Sequence, residues 1–294
     1  MLYCKKTKNN GDITVGKFFV KKVLNNNVLI ASGEDRVEVV LIGRGIGFGR
    51  RQGDEIVRES VEKLFVLTDR NEQEQYKKLL PNIDDETLKV IIAAVELIRD
   101  RVGQTLNEHI HVGLTDHLLF AVNRMIRGIG IRNPFLLETK ALYPFEYEVA
   151  EAVTKLINQR LTVALPPGEV GFIALHIHSA ITNKAVRDLS RYSELMATLI
   201  QLIEVQLDVK LDKESIDYMR LVRHIRYTIE RVVRGEKVDE PEKIASLLKT
   251  EYPICYNLSW KLIKVMQQTL KKPVYDAEAV YLTMHLQRIQ TKMK

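Results

Sequence analysis

Cysteine is nearly absent from this sequence. Cys4 and Cys255 are the only two in 294 residues, and neither has a near neighbour in the chain. That argues against a disulfide scaffold and against a thiolate metal site, and points to a reducing cytosol. Long apolar runs are missing too. The best, Val90 to Ile98, is interrupted by Glu96, whereas a membrane span needs about 18 to 20 apolar residues. The N-terminal stretch MLYCKKTKNNGDITVGKF holds no apolar segment long enough for a secretory signal. Nor is there a bias toward disorder: 46% of the residues are hydrophobic and 28% charged, an ordinary globular balance with material for two or three domains.

A large excess of one charge is also lacking, since the net charge is only +6, but its distribution is uneven. Residues 1–68 carry 12 Lys/Arg against 8 Asp/Glu, residues 69–185 carry 13 against 15, and residues 186–294 carry 19 against 15. A small basic segment ahead of an acidic middle suggests that the N-terminus meets a polyanion, although charge alone fits a solvated basic face equally well.

Residues 1–17 read as a flexible polar tail. After them come short runs rich in Val, Ile, Leu and Phe: Phe18 to Leu24, Val28 to Ser32, Val37 to Ile42 and Leu64 to Leu67. Asn25-Asn26-Asn27, Ser32-Gly33-Glu34-Asp35 and a glycine-rich stretch separate them, which is the pattern of an antiparallel meander. Gly43, Gly45, Gly47 and Gly49 alternate with other residues, as though one face of a strand had been stripped of side chains. Some fifty residues bury little surface alone, so the module is expected to dimerise through one face of its sheet.

From Glu72 the apolar period becomes helical. Ile91-Ala94-Leu97-Ile98, Leu118-Val122-Met125-Ile126, Val149-Val153-Leu156-Ile157 and Leu195-Leu199-Leu202-Ile203 recur at spacings of three and four. Helix stops are expected at Gly128-Ile129-Gly130, Pro166-Pro167-Gly168 and Gly235.

An internal repeat organises this helical part. His117 precedes Arg124 by seven residues and Arg127-Gly128 by ten and eleven; His224 stands in the same relation to Arg231 and Arg234-Gly235. Tyr143-Pro144 lies 33 residues before His176, and Tyr252-Pro253 lies 33 before His285. Glu169 and Glu278 each precede their histidine by seven. The copies are offset by 107 residues at first and by 109 later. The repeat makes this part a tandem of two all-helical modules, each with a pair of histidines about sixty residues apart.

Seven histidines occur: His109, His111, His117, His176, His178, His224 and His285. A single histidine on an apolar helix is usually a satisfied packing residue. Four that recur in register beside arginines or a glutamate suggest chemistry instead. Metal binding by the HxH pairs His109–His111 and His176–His178 fits poorly, because residues i and i+2 share a face on a strand but not on a helix, and the second module has no HxH. Phosphoryl acceptance fits better: a neutral imidazole is nucleophilic near pH 7, and Arg124 or Arg231, two turns from their histidines, could answer the added charge. In the second module Arg220, Arg223 and Arg226 surround His224 in sequence, so a phosphate there is expected to be welcomed. Surface salt bridges remain the plain alternative for each arginine.

The segments VKKVLNNNVLIAS and EVVLIGRGIGFGRRQGDEI resemble the RNA-binding domain of the BglG/SacY/LicT transcriptional antiterminators. LTDHLLFAVNR, NPFLLETKALYPFEYEVA, PPGEVGFIALHIHSA, YMRLVRHIRYTIERV and EAVYLTMHLQ are similar to the two phosphotransferase-regulated domains that follow it in that family. The likeness spans residues 18–290 and leans toward the glucose-type regulators; the first seventeen residues lie outside it. The resemblance implies a dimeric antiparallel β RNA-binding domain at 18–68, then two all-α helical-bundle regulatory domains at 73–185 and 186–294. It implies an mRNA leader hairpin as ligand, contacted by Lys22, Asn27, Gly43, Arg44 and Phe48, and phosphorylation at His117, His176, His224 and His285. The partners implied are phosphoryl donors of the sugar phosphotransferase system and a second copy of the chain. The expectation is of a cytoplasmic regulator, neither enzyme nor membrane protein, with no cofactor and no metal. The residue types suit these roles: Asn27 for base edges, Phe48 for stacking on an unpaired base, Arg44 and Lys22 for phosphates or base edges, Gly43 for close backbone approach. The plain alternatives are a simple turn for the asparagines and a dimer core for Phe48. Two rival functions are weighed. A DNA-binding activator with the same regulatory domains would need a helix-turn-helix ahead of Glu72, where the pattern is β. A metal-dependent hydrolase would need alternating strands and helices in residues 72–294, and none is evident.

Overall fold

The computed structural model describes residues 17–33, 38–66, 74–75, 78–79, 83–107, 109–213, 215–237 and 242–292. The expected tail apart from Lys17, Cys4, the Glu34-Asp35 turn, Val37, Leu67 and Glu72 lie outside the described residues. The chain divides into two compact units, one running to Ile131 and including Val149–Asn183, the other made of Arg132–Glu148 and Lys184–Lys294.

The first unit begins with five strands, β1 (Phe18–Asn25), β2 (Val28–Ser32), β3 (Glu38–Ile42), β4 (Glu55–Ile56) and β5 (Lys63–Val66). They form one antiparallel sheet in the order β4-β1-β2-β3-β5. The four expected strands are present, and β4 is an addition too short for any pattern to reveal. β2 is apolar from Val28 to Ala31 and β3 from Val39 to Ile42, because both of their faces are covered. Val28, Val40 and Ile42 pack against Ile83, Leu88, Ile92 and Val112 of the helical part. Val20, Leu29, Ala31, Val39 and Leu41 face the other way, under Ile46, Ile56 and Val61. The sheet face that the sequence left for a second copy is thus covered from within this chain.

The glycine-rich stretch is not a strand. Residues 44–49 are consecutive turns, and the four glycines divide into two kinds. Gly45 and Gly49 have φ of +68° and +69°, where an L side chain is strained. Gly43 and Gly47 lie under backbone: a Cβ would sit 2.0 Å from the Ser60 carbonyl oxygen and 2.3 Å from that of Asn25. Alternation at period two here reflects alternate demands of a compact loop rather than a pleat.

The sheet leads into two helices of the first unit, α1 (Asp85–Val102) and α2 (His109–Ile126). Asp84 caps α1 by accepting from the Thr87 amide at 2.9 Å, worth about 1 kcal/mol, and Gly103 ends it in the left-handed region. The expected stop after α2 is present, with Gly128 at φ +70°. The other helices are α3 (Leu136–Leu142), α4 (Pro144–Arg160), α5 (Gly168–Thr182), α6 (Val186–Leu207), α7 (Ile216–Arg234), α8 (Glu242–Glu251), α9 (Pro253–Leu270) and α10 (Ala277–Lys292). Pro166-Pro167-Gly168 starts a helix rather than stopping one: α4 ends at Arg160 and Pro167 is the N-cap of α5. Proline suits a helix start because the first amides have no partner to lose. Gly235 ends α7 with φ +72°, as expected.

Two helix pairings bring the histidines together: α2 packs on α5 in the first unit, and α7 packs on α10 in the second. α3 packs on α6 and α7, where Thr139 donates to Ser193 at 3.0 Å. Among the described residues no helix is long and apolar enough to cross a membrane.

Candidate RNA face and histidine sites

The β1–β2 turn and the glycine loop are stitched together by backbone. The Gly43 amide donates to the Asn27 carbonyl at 3.0 Å and the Gly47 amide to the Asn26 carbonyl at 2.9 Å. The Asn27 side chain completes the seam, its Oδ1 accepting from the Gly45 amide at 2.5 Å. Asn27 therefore holds the loop in shape as well as facing outward. Its neighbour Phe48 is 75% exposed, a ring with no protein surface to cover it. The Arg44 amide donates to Glu62 at 3.2 Å, leaving the guanidinium on the exposed side.

Asn26, Asn27, Arg44, Gly45 and Phe48 line an open depression of about 600 Å³. An exposed aromatic ring beside an arginine and side-chain amides is a surface that can stack and hydrogen-bond an unpaired base. Glu86 and Lys89 of α1, which pair at 3.1 Å, complete the rim. No sequence signal marked these two, because the contact depends on how α1 docks on the sheet. Of the five expected contact residues, Asn27, Arg44 and Phe48 share this rim. Gly43 is buried just beneath it, and the backbone it lets approach is the chain's own at Ser60. Lys22 is exposed on β1, paired with Ile30, and is not part of the depression's lining.

The histidines meet in pairs. The rings of His117 on α2 and His176 on α5 lie 5.0 Å apart; those of His224 on α7 and His285 on α10 lie 4.9 Å apart. Two helices crossing at a histidine from each produce this, which is why about sixty residues of sequence can separate a pair that touches.

Each pair is served by a buried glutamate. The Glu169 side chain is fully buried and accepts from His117 Nε2 at 2.9 Å. It also pairs with Arg124. Glu278, 2% exposed, pairs with Arg231 through both oxygens, at 2.8 and 2.9 Å. The arginines expected to await a phosphate are thus already engaged by a carboxylate. Burial pushes each carboxyl up. For Glu169 the His117 hydrogen bond and the His117 and Arg124 charges outweigh that effect, and for Glu278 the bonds from His224, Thr228 and Arg231 do, so both end below the ordinary carboxylate value. An ionised carboxylate can only accept, so His117 Nε2 carries the proton of this bond.

At the buried glutamate the two sites differ by one hydroxyl. Thr228 donates to Glu278 Oε2 at 2.7 Å, and His224 Nε2 stands off at 3.5 Å from that same oxygen. The corresponding residue of the first module is Ala121, which offers no competing donor, and His117 comes to full hydrogen-bond distance.

The second histidine of each pair is held neutral. Burial, and then the neighbouring imidazoles of His117 and His109, lower His176 to about 3. Burial, then His224, Arg288 and Arg220, lower His285 to about 4 against the opposing pull of Asp217. A neutral imidazole at physiological pH is a competent nucleophile.

The expected ring of arginines around His224 is only partly there. Arg226 bonds Glu230 at 3.0 Å and packs over Tyr227, and Arg223 is exposed. Their spacings of one and two residues from His224 place them on other faces of the helix. Of the HxH histidines, His109 is hydrogen-bonded to Ser179 at 2.9 Å and His111 is buried. Both pairs lie on helices, and among the described residues no group of three or more His, Cys, Asp or Glu is placed to hold a metal.

The CAT RNA binding domain model matches residues 18–74, and the PRD domain model matches residues 93–180 and 197–289. The chain is 53% identical over 278 residues to the PtsGHI operon antiterminator of Bacillus subtilis (strain 168), covering 95% of this chain and 99% of that protein. It is 39% identical to the GlcA/glcB genes antiterminator of Staphylococcus carnosus (strain TM300), covering 92% of this chain and 96% of that protein. Among solved structures, the crystal structure of GlcT CAT-PRDI is 52% identical with a TM-score of 0.51, covering 57% of this chain and all of that one.

Proposed function

Because the chain belongs to the BglG/SacY/LicT family of transcriptional antiterminators, we propose that it binds a hairpin in an mRNA leader and so prevents a transcription terminator from forming. Binding is governed by phosphorylation of His117, His176, His224 and His285. The genes released are those of sugar phosphotransferase uptake, in keeping with the names of its relatives. The phosphoryl donors are proteins of that phosphotransferase system. The chain itself is a regulator and phosphoryl acceptor in the cytoplasm, not an enzyme. Its domains run from 18 to 68 for RNA binding and over 73–185 and 186–294 for regulation.

The observation that carries this reading is the doubled site: a histidine pair 5.0 or 4.9 Å apart, each backed by a buried glutamate paired with an arginine, in a chain that begins with a β module bearing an exposed Phe48 and Arg44. A mere packing histidine needs no buried carboxylate to orient it.

The working form is a homodimer. Phe120, one turn beyond His117, is 63% exposed, and Ile126 at the end of that helix and Ile129 just past it are exposed as well. Apolar surface of this kind beside His117 suits a second copy. A phosphate adds close to two negative charges at pH 7, so phosphates on both copies of His117 or His176 repel across such an interface. Phosphorylation of the first module therefore inhibits, and incoming sugar, by draining phosphate from the transporter, relieves the inhibition.

The test is binding of the purified protein to its own upstream leader RNA, with and without the phosphotransferase proteins. In cells, replacing His117 and His176 with Ala should give antitermination without sugar. A variant that still shuts off normally without sugar would remove the first-module histidines from the switch.

A further inference from the structure

The two histidine pairs match in spacing and differ in what stands beside the second histidine. At the repeat offset of 107, Asp217 and Arg220 on α7 correspond to Ile110 and Gly113 on α2; at 109, Arg288 on α10 corresponds to Ser179 on α5. In the first module the His176 ring lies over Gly113, where a Cβ would be 3.4 Å from Nδ1. Ile110 and Ser179 are buried, and the charges that act on His176 are those of the His117 and His109 imidazoles.

In the second module Arg288 lies one turn after His285, and Arg220 one turn before His224. Both turn toward Asp217, Arg288 at 3.2 Å and Arg220 at 3.8 Å. The bridge from Arg288 to Asp217 joins α10 to α7 beside the histidine pair, close enough for all three charges to act on His285. Two guanidinium groups face the same carboxylate here. Both arginine side chains are about half exposed, at 48% and 56%.

We propose that Arg220 and Arg288 are a phosphate clamp for His285, making it the favoured phosphoryl acceptor over His176. The proposal rests on the reading of these histidines as phosphoryl acceptors. A phosphate of nearly −2 charge on His285 is met by two cations already in place, and Asp217 is the group they exchange for it. The guanidinium fork matches phosphate oxygens in a way that the rigid Gly113, Ile110 and Ser179 surroundings of His176 do not. The same phosphate on His176 would stand in a buried site without that compensation. Phosphorylation is thus accommodated at His285 and resisted at His176.

Phosphoramidate serves as a donor that needs no protein partner. The imidazole lone pair attacks phosphorus, the P–N bond of the reagent breaks, and ammonia leaves with the proton. The full chain is treated with it, and occupancy of each histidine is read by mass spectrometry under neutral conditions. His285 should be labelled more heavily than His176. R220A/R288A should cut His285 labelling about tenfold, the sum of two partly exposed ion pairs, and leave His117 labelling unchanged. R220K/R288K should recover part of the loss, which a purely structural role would not produce, and R288A alone should show a partial loss should the double variant fold poorly. His285 labelling that equals that of His176, or that ignores the arginines, overturns the clamp. A chain labelled at none of the four histidines overturns the acceptor reading itself.

Discussion

Replacing Glu169 with Gln keeps the shape of the residue and removes its charge. In the folded chain that carboxylate is fully buried and is the counter-ion of Arg124, itself only 12% exposed, as well as the acceptor for His117. Removing one member of a buried pair typically costs 3–5 kcal/mol, since the other charge is left uncompensated. Gln can still accept one hydrogen bond and Arg124 reaches some solvent, which brings the expected loss to about 2–3 kcal/mol. Urea unfolding of the full chain at neutral pH, followed by far-UV circular dichroism, should show the transition of the first unit shifted to lower denaturant. The pH dependence gives a second reading. Glu169 is held below its ordinary value in the folded chain, so its contribution is full above the unfolded value and is lost as the pH falls through the folded one. The wild-type protein should lose that increment in acid, whereas E169Q, lacking it at every pH, should be flatter there. E278Q in the second unit should cost less, because Arg231 is 28% exposed. An E169Q protein that unfolds at the wild-type urea concentration, with the wild-type acid profile, would refute the claim that this carboxylate holds the site together.

Gly43→Ala should unfold the β module at markedly lower temperature, because its Cβ would meet the Ser60 carbonyl at 2.0 Å; Gly45→Ala meets nothing and should lose only the roughly 1 kcal/mol of a left-handed φ. Asn27→Ala should lower both the melting temperature, by the loss of its bond to the Gly45 amide, and RNA affinity, whereas Phe48→Ala, 75% exposed, should weaken RNA binding without a change in melting. His176 and His285 should remain neutral in NMR titrations down to about pH 3 and about pH 4, and because an unfolded histidine takes up its proton near 6.5, they should lower stability progressively as pH falls below that value; a midpoint near 6.5 for either in the folded protein would contradict their burial. RNA binding should weaken as salt rises, with the slope reduced in Arg44→Ala if that guanidinium meets a phosphate.

The sequence by itself determined four of the strands, the helical periods and the doubling of the candidate residues across the repeat. Helical spacing of apolar residues marks faces that can be buried in only one conformation, so α1, α2, α4 and α6 were legible from residues such as Ile91 and Leu118. The doubled His117–Arg124 and Glu169–His176 spacings marked the sites before any helix was placed, since seven residues is two turns. What the tertiary structure alone decided are relations between segments that no local period encodes. Glu169 reaches His117 across 52 residues because α5 lies on α2, and only that crossing shows that Arg124 is already engaged. The glycine loop looked like a strand because period two has more than one cause, and the cause here lies in contacts with Asn25 and Ser60 made by folding back. Nor could sequence decide which arginines attend a histidine. Arg223 adjoins His224 in sequence but lies on another face of α7, while Arg288 comes to Asp217 from 71 positions away, because a helix turns by 100° at each residue and packing chooses the face that meets its neighbour.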